Sequence, residues 1–202
     1  MQRLWKIGLV GIAVTIGLPL AVVAQKADAK AEGKAETYKV DPVHSSNWFR
    51  IKHMNMANFY GRFNTTEGTY TFDDANPAGS AFDIQVNVDT IDTHNEGRDK
   101  HLKSPEFFDA AKYPTIAFKS KSVKKTGEST FEATGDLTLH GETRPLTVKI
   151  ERTGAGPGMK GEHRSALETT FDIKRSEFGM KTMIGPLGDD VRLNVSIEGV
   201  RE

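Results

Sequence analysis

The chain of 202 residues carries 27 basic and 27 acidic side chains, so its formal net charge is zero, and it contains no cysteine. Lys and Glu are mixed throughout, which excludes a nucleic-acid-binding surface, because such a surface needs a basic stripe with interleaved aromatic residues. Without cysteine no disulfide can hold the fold, and the hydrophobic core must stabilise it alone.

Residues 1–24 predict a secretory signal peptide. Arg3 and Lys6 precede a long apolar run without acidic residues, and small residues stand directly before Gln25, where we expect cleavage. The alternative is an uncleaved membrane anchor, since the run is long enough to span a bilayer. Pro19 near the end of the run favours cleavage.

Residues 25–36 are low-complexity Ala, Lys and Glu with nothing large to bury, and they predict a disordered linker. The remaining residues, 37–202, are enough for one domain with one hydrophobic core. Within this domain the apolar residues recur with a period of two from Ser46 onward, which predicts strands rather than helices. About eight strand-like runs follow in order: 45–53, 60–72, 81–92, 116–118, 131–139, 146–150, 167–173 and 191–197.

The runs predict an all-β, antiparallel domain, because short turns join most of them. A sandwich and a closed up-and-down barrel both fit one apolar face per strand. Several runs are longer than a usual strand, and a long twisted sheet buries one apolar face best by closing on itself, which favours a barrel of about eight strands. Such an interior is either filled by side chains or holds one small ligand. Small inward residues, Ala133 and Gly135, favour a cavity.

The segment 95–109 interrupts the strand pattern with a charged, helix-like insert. Asn95 is a cap for a first helical turn, and Ser104 followed by Pro105 and Glu106 is a second start signal, so we expect two short helical turns in series. We interpret the insert as a lid over the barrel, with the alternative that it only plugs a packed end. Its apolar residues, which are the predicted lid contacts, are Leu102, Phe107 and Phe108.

No catalytic or metal-binding constellation emerges from the sequence. His94, Asp99 and His101 lie close together but lack the spacing of a zinc motif. Ser104 precedes proline and reads as a helix cap, and no G-x-S-x-G elbow occurs. We therefore expect no enzyme, no metal and no cofactor.

Five stretches carry a resemblance: "FRIKHM" at 49–54, "RDKHLKSPEFFDAAKYPTIAFKS" at 98–120, "GDLTLHGETRPLTV" at 135–148, "KRSEFGM" at 174–180 and "GPLGDDVRLNVSIEG" at 185–199. In this order and spacing they resemble the YceI-like family of bacterial exported proteins, and the resemblance covers the chain from Tyr38 to Arg201. It implies a lipocalin-like barrel whose long apolar pore holds a polyisoprenoid or similar amphiphilic lipid, a periplasmic location, and a homodimer in some members. The positions that match the family's motifs are Arg98, Asp99, His101, Leu102, Phe107, Phe108, Pro114, Phe118, Gly135, Leu137, Gly141, Arg175, Phe178 and Gly179.

The alternating faces give the residues expected to line an apolar cavity, although a one-residue slip in register would invert a strand's contribution. Basic residues near the insert are candidates for contacts with a lipid head group, since ligand sites add a few placed polar groups to an apolar lining. The head-group candidates are Arg98, His101 and Arg175, and the alternative is that they form salt bridges with Asp99 or Glu177. The predicted lining consists of Phe49, Phe82, Ile84, Val86, Phe118, Phe131, Leu137, Leu139, Phe171 and Ile173.

Two hypotheses of different classes follow. The first is a periplasmic protein that encloses one long-chain isoprenoid or fatty lipid for transport or storage, without chemical turnover. The second is a solid-cored β-domain that acts through its surface as a stress-response or protein-interaction module without a ligand. The expected partner is the amphiphilic lipid; a homodimer through the outward Trp48 and a transient membrane contact are further candidates.

Overall fold

The structure is a computed structural model and describes residues 35–73 and 75–202. The predicted signal peptide and the predicted linker up to residue 34 lie outside the described residues. Glu36, the last residue of the predicted linker, begins the first strand. Within the described ranges no helix has both the length and the apolar character needed to cross a bilayer.

The described residues form eleven strands, one α-helix and three 3₁₀ turns. The helix α1 spans Glu96–Leu102, and the 3₁₀ turns span Pro77–Gly79, Val88–Thr90 and Arg175–Phe178. The strands are β1 (Glu36–Val40), β2 (Ser46–His53), β3 (Ala57–Phe63), β4 (Thr66–Phe72), β5 (Ala81–Asn87), β6 (Ile91–Asp92), β7 (Thr115–Lys125), β8 (Thr130–Leu139), β9 (Glu142–Pro157), β10 (His163–Lys174) and β11 (Leu187–Arg201).

The first six strands are three long strands, each broken once. β1 and β2 both pair antiparallel with β11, with Val40 opposite Gly199 and Ser46 opposite Ser196. In the same way β4 pairs with β1 while β3 pairs with β2, and β5 pairs with β4 while β6 pairs with β3. The pairs β1/β2, β3/β4 and β5/β6 are therefore continuous lines in the sheet, interrupted by short irregular segments.

Counted in this way, the sheet has eight long strands, and it closes. Neighbours pair in chain order from β5 through β7, β8, β9 and β10 to β11, and β11 returns to β1 and β2. The prediction of an eight-stranded antiparallel barrel is confirmed. The first strand, β1, was not predicted. Strands β7, β9, β10 and β11 extend beyond the predicted runs, and β7 continues from the predicted run 116–118 through a polar stretch to Lys125.

The three strand breaks lie side by side. Asn64 N donates to Thr90 O at 3.1 Å, and Asn87 N donates to Thr65 O at 3.1 Å, so the breaks of β3/β4 and β5/β6 bond each other. The buried Asn47 at the start of β2 donates through Nδ2 to Thr66 Oγ1. Backbone and amide groups that leave the ladder at the breaks are thus satisfied locally, as burial requires.

One end of the barrel is filled by aromatic side chains. The rings of Tyr38 and Tyr70 stack with centroids 5.2 Å apart, and Phe72 packs on Phe131 at 4.9 Å. Tyr70 Oη donates to Ser165 O at 2.5 Å, and burial raises the pKa of Tyr70 to about 12. We call this packed set the aromatic end; its buried members include Tyr38, Val40, Tyr70, Phe72, Phe82, Val123, Phe131, Ala133, Val148, Ile150, Leu167 and Ile197.

The small inward residues of β8 do not create the interior space as we expected. Ala133 is fully buried in the aromatic end, and Gly135 faces a close approach of β7. A Cβ on Gly135 would lie 2.2 Å from Lys119 O and 2.7 Å from Ser120 Cα. The glycine therefore serves the packing of two strands beside a register shift between Ser120 and Ser122.

Arg164 ties the break between β1 and β2 to the last strands. Its Nη1 donates to Asp41 Oδ2 at 2.9 Å and to Glu198 Oε1 at 2.5 Å, while its Nε donates to Glu162. His44 Nδ1 lies 2.8 Å from Asp41 Oδ2. The hydrogen bonds from His44 and Arg164 lower the pKa of Asp41 to about 2. The guanidinium of Arg164 therefore offsets the negative charges of Asp41, Glu162 and Glu198, which lie close together.

We predict that Gly135→Ala lowers the free energy of unfolding by about 1–3 kcal/mol, because the added methyl group collides with the backbone of β7, which is fixed by its pairing with β8. The control is Gly154→Ala, whose Cβ would meet nothing within 4 Å. The control should change stability by less than about 1 kcal/mol. Urea unfolding of both variants checks this, and equal losses would contradict it.

The Asp41 cluster predicts a specific sensitivity to acid. Because the folded-state pKa of Asp41 lies below its ordinary value, its contribution is complete above that ordinary value and is lost as the pH falls toward about 2. Urea unfolding measured at a series of pH values over this range gives the fall in unfolding free energy with decreasing pH. This fall should be smaller for Asp41→Asn than for the unaltered protein. Asp83→Asn, which removes an exposed partner of Lys119, is the control and should leave the slope as in the unaltered protein.

Candidate ligand-binding cavity

A cavity of about 510 Å³ occupies the barrel beyond the aromatic end. Inward residues of every long strand form its wall because alternate side chains point to the same face of a sheet. On β10, for example, Leu167, Thr169, Phe171 and Ile173 face it, whereas Glu168 and Thr170 are exposed. Its polar contributors are Asn47, Trp48, His53, Arg98, Thr169 and Arg175, and the remaining wall residues are aliphatic, aromatic or methionine side chains.

Nine of the ten predicted lining residues lie on the cavity wall. Phe131 is the exception: it is fully buried in the aromatic end against Phe72. It faces the interior as the alternation indicates, but at a depth where rings already fill the barrel. Alternation gives the face of a strand and not the depth along it. The nine at the wall are Phe49, Phe82, Ile84, Val86, Phe118, Leu137, Leu139, Phe171 and Ile173.

The wall also contains residues that we did not predict. Val191, Leu193 and Val195 of β11 alternate with Arg192, Asn194 and Ser196 as regularly as any predicted strand. The same signal could therefore have found them. The wall residues missed on β9, β10 and β11 are Leu146, Val148, Ile150, Leu167, Thr169, Leu187, Val191, Leu193, Val195 and Ile197.

The insert after β6 covers the end of the cavity opposite the aromatic end. Asn95 Oδ1 accepts a hydrogen bond from Arg98 N at 2.9 Å, so the predicted cap of α1 is present. All three apolar residues of the insert line the cavity. Phe107 is buried among Leu137, Leu139, Phe178 and Met180, and Leu102 and Phe108 pack against this cluster. We call residues 95–113 the lid.

The second half of the lid is a series of turns and not the second helical turn that we expected. Phe108 N donates to Leu102 O at 2.9 Å and Ala110 N to Lys103 O at 3.0 Å. These bonds span six and seven residues, so they fold the chain back onto the end of α1 instead of continuing a helix. Ser104 O accepts from Phe107 N at 3.0 Å, which makes the predicted cap residue the start of a turn.

Of the three head-group candidates, Arg98 best combines exposure with contact to the cavity wall. Its Nε donates to Thr93 Oγ1 at 2.8 Å, and its Cζ lies 4.4 Å from the ring centroid of Phe59. Phe59 is itself a wall residue. A guanidinium over an aromatic face keeps its charge while its flat surface packs against apolar atoms.

The other two candidates are placed differently. His101 is exposed, is not part of the wall, and its Nε2 pairs with Glu106 Oε2. Arg175 reaches the wall, but it is buried and donates to the carbonyl oxygens of Met180 at 3.0 Å, Thr182 at 2.8 Å and Gly188 at 2.9 Å. Burial lowers the pKa of its guanidinium. These contacts make Arg175 the centre that organises the loop before β11.

The histidines and the aspartate that we examined for metal binding have separate partners. His94 Nδ1 lies 3.9 Å from Asp92 Oδ1. Asp99 Oδ1 accepts from Thr93 N at 2.9 Å and from Thr93 Oγ1. Because His101 faces Glu106, the three side chains have no common centre.

The fold and the cavity define a class: hollow, eight-stranded antiparallel barrels with room for one small ligand. Residues 38–199 match the YceI-like domain, so the chain belongs to that family. Protein YceI of Escherichia coli O157:H7 is 41% identical over 170 residues, which cover 83% of this chain and 88% of that relative.

Solved structures agree on the fold. Burkholderia cenocepacia BcnA matches with a TM-score of 0.72 at 23% identity, covering 79% of this chain and 98% of its own. A polyisoprenoid binding domain from Saccharophagus degradans, implicated in plant cell wall breakdown, matches with a TM-score of 0.60 at 11% identity, covering 82% and 98%. At these identities the likeness establishes a shared barrel.

We predict that Arg175→Met lowers the free energy of unfolding by about 2–4 kcal/mol, because several buried carbonyl oxygens lose their donor. Arg192→Met is the control, since Arg192 pairs with Asp172 on the exposed face at 2.8 Å. The control should cost less than about 1 kcal/mol. Urea unfolding measures both, and similar losses would show that Arg175 does not hold the loop.

Proposed function

We propose that this protein encloses one long-chain isoprenoid or similar amphiphilic lipid, in the periplasm, and carries or stores it without chemical change. The observation on which this depends is the cavity of about 510 Å³ with its mostly apolar wall. Its volume falls within the usual range for ligand pockets, and an apolar wall with a few polar groups is the usual composition of such sites.

The energetics favour a lipid tail over a polar ligand. Each buried methylene contributes roughly 0.8 kcal/mol, so a chain that buries about fifteen of them gains on the order of 12 kcal/mol. This gain can exceed the cost of ordering the ligand, which is about 4–15 kcal/mol. A polar ligand would have to give up its water for a wall with few hydrogen-bonding groups.

The shape of the interior favours one orientation of the lipid. The aromatic end is filled by its own rings, so the tail points toward Phe82 and the head toward the lid. Arg98 and His53 are the polar wall residues that lie exposed at that side. An anionic head group would lie beside Arg98, with the tail along the strand faces.

Other observations support parts of the proposal. The Saccharophagus degradans domain with the same barrel binds polyisoprenoid, which favours a related ligand here. The sequence-predicted signal peptide supports export to the periplasm. We found no nucleophile with an activating base in the sequence, which favours binding over catalysis. The alternative hypothesis, a solid-cored interaction module, requires a filled interior, and the cavity therefore counts against it.

Organic extraction and mass spectrometry test the proposal. Protein purified from the cells in which it is produced should release one long-chain lipid per protein molecule on extraction. Val86→Trp and Val195→Trp place an indole in the cavity and should remove most of this lipid. Their exposed chain neighbours provide the controls: Gln85→Trp and Asn194→Trp should retain it.

Circular dichroism should remain rich in β-structure for all four variants, so that lipid loss cannot be assigned to unfolding. Retention of lipid in both cavity variants would show that the wall is wrongly assigned. Absence of any extractable lipid in the unaltered protein would overturn the proposed function.

A further inference from the structure

Four large apolar side chains cluster in exposed positions at the lid end of the barrel. Met54 and Met56 occupy the turn between β2 and β3, with 50% and 76% of their surface exposed. Met183 and Ile184 occupy the loop before β11, with 50% and 44% exposed. We call these four residues the methionine rim. Clustered apolar exposure of this kind marks a surface that contacts another body, whereas single exposed residues do not.

Backbone hydrogen bonds hold the two parts of the methionine rim together. Met54 N donates to Pro186 O at 2.6 Å, and Leu187 N donates to Met183 O at 2.9 Å. Met56 N closes the β2–β3 turn onto His53 O at 3.1 Å. The backbone that carries the exposed side chains is therefore held by hydrogen bonds, and both segments lie side by side at the lid end of the barrel.

The charged side chains of these two segments are lysines. Residues 52–58 and 179–186 contain Lys52, His53 and Lys181 and no aspartate or glutamate. Lys52 Nζ donates to Met56 O at 3.4 Å, which places its ammonium beside the rim. In the following residues, Asp189 accepts from Ser176, and Asp190 pairs with Lys174. Methionine side chains with lysines beside them complement a membrane surface, in which an apolar acyl layer lies beneath anionic head groups.

The same two segments contribute to the cavity wall. His53 and Leu187 are cross-strand partners and both line the cavity, and Met180 lines it from the loop. Met54 follows His53 directly, and Pro186 precedes Leu187. The rim is thus continuous with the wall that we assigned to the lipid.

We propose that the methionine rim docks on the surface of an anionic phospholipid bilayer, with the methionine and isoleucine side chains among the acyl chains and Lys52 and Lys181 at the phosphates. This rests on the proposed function, because it gives the surface across which a lipid would pass between bilayer and cavity. Methionine suits this role, since its flexible thioether adapts to irregular apolar surroundings.

The chain contains a matched control at the other end of the barrel. Met159 is fully exposed in the turn between β9 and β10, with Lys160 beside it. This turn lies next to the end of β11 that pairs with Arg164, whereas the rim lies at the end that pairs with His53. A methionine and a lysine there have the same chemistry but no contact with the cavity wall.

Vesicle flotation tests the docking, using phosphatidylcholine alone and phosphatidylcholine with phosphatidylglycerol at about two to one. The unaltered protein should bind the anionic vesicles about tenfold more tightly than the neutral ones. Met56→Ser with Ile184→Ser should weaken binding to the anionic vesicles about tenfold. Lys52→Gln with Lys181→Gln should reduce it to the neutral level, and Met159→Ser with Lys160→Gln should leave it unchanged.

The inference is overturned if the rim variants bind like the unaltered protein, or if the unaltered protein does not bind. Sedimentation distinguishes a protein contact from a membrane contact. If the unaltered protein self-associates but does not bind vesicles, and the rim variants no longer self-associate, the rim is a protein contact and the inference is overturned. Extracted lipid separates this result from the proposed function. If the unaltered protein carries extractable lipid but does not bind vesicles, the docking alone is rejected. If the unaltered protein binds vesicles but carries no extractable lipid, the proposed function alone is rejected.

Discussion

The pairing of β11 with both β1 and β2 is the interaction on which the structure depends. Closing eight strands on themselves pairs most of the backbone groups that an open sheet would leave at its edges, and it leaves one face of every strand inside. With no disulfide available, this closure and the burial of the inner faces must supply the stability. The closed sheet encloses an interior whose width is set by strand number and stagger, and the side chains decide how much of it is filled.

The two ends of the barrel use different side chains. The aromatic end is filled because large rings such as Tyr38, Tyr70 and Phe131 converge there. Toward the lid the inward residues are mainly leucine, isoleucine, valine and phenylalanine, and they leave the centre of the cross-section open. The residue types along each strand therefore decide where the barrel is solid and where it is hollow. An internal cavity costs packing energy, which a bound apolar ligand would return.

Much of this arrangement could be predicted from the sequence, and the reasons for the rest are specific. Alternation along β10 and β11 is regular enough to assign each inner face, and most predicted lining residues lie on the cavity wall. Phe131 was misplaced because period two carries no information on depth. Arg175 was interpreted as a head-group contact because it is basic. Its acceptors are backbone carbonyls of an irregular loop, and these leave no pattern in the sequence. The turns of the lid close through bonds of long span, which local helix signals do not encode.

The seam between β6 and β7 differs from the other junctions between neighbouring strands of the barrel. Among the described residues β6 forms its ladder with β3, and β7 forms its ladder with β5 and β8, so no ladder joins β6 to β7. Val88 N to Pro114 O, at 2.9 Å, is a backbone bond across the start of this seam, and the lid covers the remainder. Every other junction between neighbouring long strands is held by a ladder of backbone hydrogen bonds. To part the wall along this seam would therefore break fewer backbone hydrogen bonds than to part it anywhere else around the barrel.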